Sequence, residues 1–166
     1  MAAQKGTELH EFACRAIELR VKIQTPKLLK LYVNDAIGFK MTTEQTLYYS
    51  DNCFGTADTI SFNKNFLRIH DLKTGTTPAS IKQLEVYTAL FCLEYNIKPN
   101  EIGIELRLYQ LDEVLVHIPD PDDIFRIIDK IIAFDKLIEK IKITHGMNNQ
   151  FMEENLKKLL KTIQGG

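Results

Sequence analysis

The chain has 166 residues, a net charge of −1 and an apolar fraction of 45%, which suits a single globular domain over residues 1–166 and excludes a disordered or fibrous chain. No run is apolar and long enough to span a bilayer, and the N-terminal MAAQKGTELHEF lacks the apolar core of a signal peptide. The expected location is therefore the cytoplasm of its cell, with no membrane partner. The near-neutral charge argues against non-specific coating of nucleic acid but leaves room for a nuclease, since bound metal can offset clustered acids.

Thr7 is a plausible N-cap for a first helix reaching about Lys22, with Leu9, Ala13, Ala16, Ile17 and Val21 on its apolar side. A second helix follows Pro26, near residues 27–39, and stops around Gly38. Three strand-like runs come next, at 45–50, 53–62 and 66–73, joined by Asp/Asn and Asn-Lys-Asn turns. A helix over 79–95 has Pro78 just before it, and strands at 102–110 and 113–118 flank a Leu-Asp turn. PDPDD opens a long helix at 122–143, and a charged helix occupies 148–163. The order predicts an α/β (α+β) fold, a mixed sheet flanked by helices, with a core over about 6–118 and the C-terminal helices at 122–163. Cys14, Cys53 and Cys92 are too few and too far apart for a zinc knuckle or a four-cysteine cluster, and read as buried reduced thiols.

Alternation along the third strand places Leu67, Ile69, Asp71 and Lys73 on one face, and Phe66, Arg68, His70 and Leu72 on the other. Asp71 and Lys73 are then about 6.6 Å apart by strand rise. In the preceding strand the same rule groups Phe54, Thr56, Asp58, Ile60 and Phe62, so Asp58 is an acid in an otherwise apolar row. If the two strands form a hairpin, Asp58 and Asp71 point into one pocket. Two carboxylates forced together repel and must be neutralised, which a hard divalent cation does. Lys73 beside them could position or deprotonate a water that attacks phosphorus. The alternative for an isolated Asp-x-Lys is a solvated ion pair at a strand end. Gln83 and Tyr87 share one face of the next helix, and Gly55 marks a place of close approach by backbone or nucleic acid. Glu85 falls on another face and reads as solvated, while His117 has no evident partner.

The segments GTAD (55–58), DLKTG (71–75) and QLEVY (83–87) resemble the successive G-x-x-D, (D/E)-x-K and Q-x-x-x-Y motifs of RecB-like nucleases in the PD-(D/E)XK superfamily. GTELHEFACRAIEL (6–19) resembles the upstream helix that carries a histidine in that group, with His10 in the matching place. The ordered motifs lie within residues 6–110, and the family core, helix, three strands, helix and strand, agrees with the elements above. The resemblance implies that Asp58 and Asp71 bind a catalytic Mg²⁺ or Mn²⁺, joined by His10 and the main-chain carbonyl of Leu72. It implies that Lys73 acts on the attacking water, and that Gln83 and Tyr87 orient the site and contact DNA. A helix starting at Thr7 puts His10 in its first turn, where the positive end of the dipole favours the neutral, metal-binding imidazole.

Lys82, Arg68 and Arg107 are candidate phosphate contacts, with ordinary surface residues as the alternative for each, and Arg107 and Glu105 share a strand face and can pair with each other. The iron–sulfur cluster of some relatives is not expected, because no cysteine follows Cys92, and there is no G-x-x-x-x-G-K-[ST] loop for ATP. The expected activity is a metal-dependent DNA nuclease of the small phage or mobile-element exonuclease type. The alternatives are a structure-specific or nicking endonuclease in a recombination or defence complex, and a non-catalytic nuclease-like module that binds DNA or protein. Ile127, Ile128, Ile131, Ile132 and Ile138 form a broad apolar surface on the long helix, which either covers the sheet or pairs two copies of the chain.

Overall fold

In the computed structural model, which describes residues 2–145 and 149–165, helices α1 (Ala2–Glu18) and α2 (Lys27–Gly38) precede strands β1 (Thr42–Ser50), β2 (Cys53–Asn63) and β3 (Phe66–Leu72). Helix α3 (Lys82–Tyr95) and a 3₁₀ turn (Pro99–Glu101) lead to β4 (Gly103–Gln110), β5 (Glu113–His117), α4 (Pro121–His145) and α5 (Asn149–Gly165). The predicted start of the last helix, residue 148, lies outside the described residues. The strands form one sheet in the order β1-β2-β3-β4-β5. All neighbours are antiparallel except β3 and β4, which α3 joins as a parallel crossover. The chain thus has an α/β fold with a mixed sheet flanked by helices, as its element order predicts. Among the described residues no helix is long and apolar enough to cross a membrane.

Both faces of the central strands β3 and β4 are covered, the α3 face by an apolar core and the α2 face by a mix of apolar residues and the Arg68–Glu105–Arg107 ion pairs. On one face Leu67, Ile69, Leu106 and Leu108 pack under Leu84 and Leu90 of α3 and Ile131 of α4. On the other, Leu72 and Tyr109 pack against Ala13 and Ile17 of α1 and Tyr32 and Val33 of α2. Full burial of residues such as Leu67, Ile69 and Leu106 stabilises the fold by roughly 1.5–3 kcal/mol each. α4 packs on α3, so it covers the sheet through that helix. Ile131 and Ile138, read from sequence as part of a possible pairing surface, are buried within the chain.

Helix α1 differs from expectation at both ends. It begins at Ala2 and runs through Thr7, and it stops at Glu18. The stop is a left-handed Arg20 (φ 56°), with Arg20 N–H donating to Ile17 O and Val21 N–H to Ala16 O. Val21 therefore leaves the helix and is exposed. A left-handed Lys40 (φ 54°) ends α2 in the same way, with no help from Gly38. Helix α3 starts three residues later than predicted because Gln110 holds the preceding segment in loop form, as described below. The cysteines are free thiols, with Cys53 and Cys92 buried, but Cys14 is only partly covered and donates to Glu18 Oε1 at 3.2 Å.

Strict alternation fails in β2. Cys53, Ala57 and Ile60 fill the α3-side core and Phe62, though 40% exposed, packs its ring against Phe91 of α3, whereas Phe54 and Thr56 face outward. The side chains switch face around Asp58. The β1–β2 ladder pairs Thr43 with Thr59 and Gln45 with Ala57, and Glu44, between them, is left-handed (φ 51°). This kink turns the strand by half a pleat. The expected single row from Phe54 to Phe62 does not exist, and Asp58 occupies the twist between two shorter rows.

Candidate active site

The hairpin pairing of β2 with β3 ends at Thr59 and His70. Beyond that point the strands separate, and the Asp58 side chain takes the place of the missing ladder partner. Its Oδ2 accepts the Leu72 N–H at 3.0 Å. The kink at Glu44 thus brings Asp58 to the C-terminal end of β3, alongside Asp71.

Asp71 is 3% exposed, and Lys73 Nζ stands 3.1 Å from its Oδ2. The Asp71 carboxyl is pushed up to about 7, first by burial and then by the charge of Asp58, with Lys73 opposing. In the absence of a cation, burial and the neighbouring charge thus favour the protonated form of Asp71 up to near neutral pH.

Lys73 is fixed from two sides. Its main-chain N–H donates to Tyr109 O at 2.9 Å, continuing the β3–β4 pairing by one residue. Its ammonium donates to Gln83 Oε1 at 2.9 Å, and Gln83 Nε2 donates to the Tyr87 hydroxyl at 2.8 Å. The helical i, i+4 spacing of Gln83 and Tyr87 makes this relay possible. Burial first, and then the nearby Asp71 and Asp58 charges, push the Tyr87 phenol up to about 12, so it stays neutral.

His10 completes the group, with Nδ1 3.8 Å from Asp58 Oδ2. The helix dipole does not account for its state, because α1 starts eight residues earlier and His10 lies well inside it. Burial is the main cause that lowers its pKa, assisted by Lys73; Asp71, Glu44 and the Leu72 main chain pull the other way. The neutral imidazole is favoured as predicted, for a different reason. Gly6 lets α1 come this close: a Cβ there would lie 2.5 Å from Thr74 Oγ1, just past Lys73.

The structure therefore brings His10, Asp58, Asp71, Leu72, Lys73, Gln83 and Tyr87 to one end of the sheet. It does not bring Arg68 and Arg107 there. Both lie on the α2 face, where each donates to Glu105 Oε1 at 2.7 Å and packs over the Phe39 ring. Arg107 also pairs with Asp35 at 3.4 Å. Lys82 is exposed in the first turn of α3. His70 occupies the α2 face, as alternation requires, between Phe39 and Tyr109, and burial pushes its pKa down to about 3.

Three local readings change. Glu85 is largely covered, and burial raises its pKa; it lies 4.0 Å from His117, which sequence left without a partner. A Cβ on Gly55 would lie 2.7 Å from Tyr87 Cε1, so the glycine makes room for that ring. Gly55→Ala is expected to push Tyr87 off Gln83 and to cost about 1–3 kcal/mol in urea unfolding, with the neighbouring Thr56→Ala near neutral as the control. Gly75, at the end of the DLKTG segment, has open space around it and no left-handed backbone, so the exit from β3 does not require a glycine there.

Sequence reasoning missed Gln110. This buried side chain donates to Gly75 O and Thr77 O, each at 2.9 Å, and accepts Ala79 N–H at 2.8 Å. Those three bonds fix the chain between Lys73 and α3. The one available signal was a polar residue ending an apolar strand. Gln110→Leu is expected to leave three loop groups unpaired and to speed amide exchange at Ala79 at least tenfold.

Among the described residues, no group of three or more His, Cys, Asp or Glu side chains forms a ready metal cage. No family model, curated protein or solved structure matches the chain.

Proposed function

We propose that the chain is a divalent-metal-dependent DNA nuclease of the RecB-like, PD-(D/E)XK type, acting on strand ends. The observation that carries this reading is Asp71: a carboxylate buried beside a second acid, with the Lys73 ammonium 3.1 Å from its Oδ2. Excess negative charge at such a place is stabilised by a cation. The order of elements and the ordered motifs support the family reading.

The donor set suits Mg²⁺ or Mn²⁺: carboxylate oxygens of Asp58 and Asp71, the Leu72 carbonyl, and a neutral imidazole at His10. A bound cation supplies Lewis-acid polarisation of a phosphoryl oxygen and charge stabilisation there. Asp71 and Gln83 hold the Lys73 ammonium beside the place where that phosphate would lie. Lys73 orients the attacking water and takes part in moving its proton, while Tyr87 keeps Gln83 in position. No covalent intermediate is required. DNA is the partner, reached from the open side of His10 and Asp58, which are about one-third exposed.

End-labelled linear duplex, single strands and closed circles, incubated with Mg²⁺, Mn²⁺ or EDTA, test the proposal. Metal-dependent loss of linear but not circular DNA is the expected result. Nicked circles would replace the exonuclease by an endonuclease, and bound but uncut DNA under every condition would remove the enzyme. His10→Ala is expected to weaken Mn²⁺ binding about tenfold by calorimetry; unchanged affinity would take His10 out of the site.

A further inference from the structure

A cavity of about 250 Å³ opens beside Lys73, which lines both it and the acidic site. Leu9, Leu28 and Leu29 give it an apolar floor, Thr76 contributes to one wall, and Leu111 and Asp112 of the β4–β5 turn form its rim. That wall is held in place, because Gln110 binds the backbone at Gly75, Thr77 and Ala79. The rim is built against backbone preference. Leu111 and Asp112 are both left-handed (φ 53° and 59°), in a two-residue hairpin turn that ordinarily favours Asn-Gly. A leucine is disfavoured in this conformation, yet its side chain remains 50% exposed at the cavity mouth.

We infer that this cavity seats the nucleobase next to the phosphate being cut, with the base lying on the leucine floor and Leu111 against its outer side. The inference rests on the nuclease reading and extends it to a substrate class. The volume is below the roughly 300–1,000 Å³ of pockets for drug-sized ligands, so it takes one base and not a base pair. The substrate is therefore an unpaired or frayed strand end. Thr76 and Asp112 offer hydrogen-bonding groups to the polar edge of the base.

The test has two arms. In EDTA, deoxythymidine 5′-monophosphate is titrated into ¹³C-methyl-leucine-labelled protein, with inorganic phosphate as the control. The methyls of Leu9, Leu28, Leu29 and Leu111 are expected to shift with the nucleotide and not with phosphate. In the second arm, cleavage of single strands with a normal or an abasic terminal residue is compared for wild type and Leu111→Asn, which suits the left-handed backbone and keeps the turn. Loss of the base and loss of Leu111 should each slow cleavage about tenfold, without adding to each other. Cleavage that proceeds with unmoved methyls and equal rates on both strands would overturn the cavity proposal alone. Shifted methyls without any cleavage would overturn the nuclease reading and leave a nucleoside-binding cavity.

Discussion

Asp71→Asn is expected to abolish cleavage, by a thousandfold or about that, and at the same time to make the metal-free protein more stable. Both effects come from one side chain. The catalytic loss follows from removing an anionic oxygen ligand. The gain in stability follows from burial: in the folded chain this carboxyl is pushed up to about 7, against an ordinary 3.8. Because its pKa is raised by folding, its stabilising protonated form is fully present below about pH 4, and that contribution is lost as pH climbs to 7. An asparagine carries no such loss. The two proteins should unfold alike near pH 4, and above pH 7 the variant should be ahead by on the order of 2 kcal/mol, or about 4–8 °C in midpoint. Thermal melts in EDTA across that range check the slope. A variant less stable than wild type at pH 8 would show that Asp71 is a structural ion-pair partner of Lys73 and nothing more.

Lys73→Met is expected to lower kcat by about 10²–10⁴ while leaving metal binding intact or slightly tighter, since it removes a proton-handling group and a positive charge from beside the carboxylates. Lys73→Arg should not restore the rate, because a guanidinium does not release its proton near neutral pH. Gln83→Leu frees the lysine from its 2.9 Å anchor and should give a smaller loss of the same kind. Single-turnover rates with saturating Mn²⁺ separate these effects from binding. Equal rates for Lys73→Met and wild type would remove the lysine from the chemistry.

The parts of the site that follow from local spacing were legible in the sequence. Asp71 and Lys73 stand two apart on a strand, Gln83 and Tyr87 four apart on a helix, and both pairs arrive where periodicity puts them. His70 turns away from Asp71 for the same reason, and its ring is enclosed by Phe39 and Tyr109. Asp58 was legible as an acid near Asp71, but its row was not. Alternation assumes an even pleat, and the left-handed Glu44 on the neighbouring strand breaks it. That residue carries no glycine or asparagine signal.

The start of α1 escaped because Thr7 looks like a cap, while the helix begins at Ala2 and runs through it. A correct start removes the dipole argument for His10 and replaces it with burial, which only the three-dimensional contacts reveal. Gln110 and the Glu85–His117 pair join elements distant in sequence, so no local pattern announces them. The two arginines were candidate phosphate contacts by charge, with pairing of Arg107 and Glu105 on one strand face as the alternative, and the structure shows that pair. Glu105, Asp35 and Phe39 already engage them on the opposite face.

The most direct measurement of the central claim is Mn²⁺ binding followed by electron paramagnetic resonance, on wild type and Asp71→Asn at pH 8. At that pH the Asp71 carboxyl has ionised. At least one ion per chain held by the wild type, and lost in the variant, is the predicted result. Equal binding by both proteins, or by neither, would contradict a metal centre built on Asp58 and Asp71.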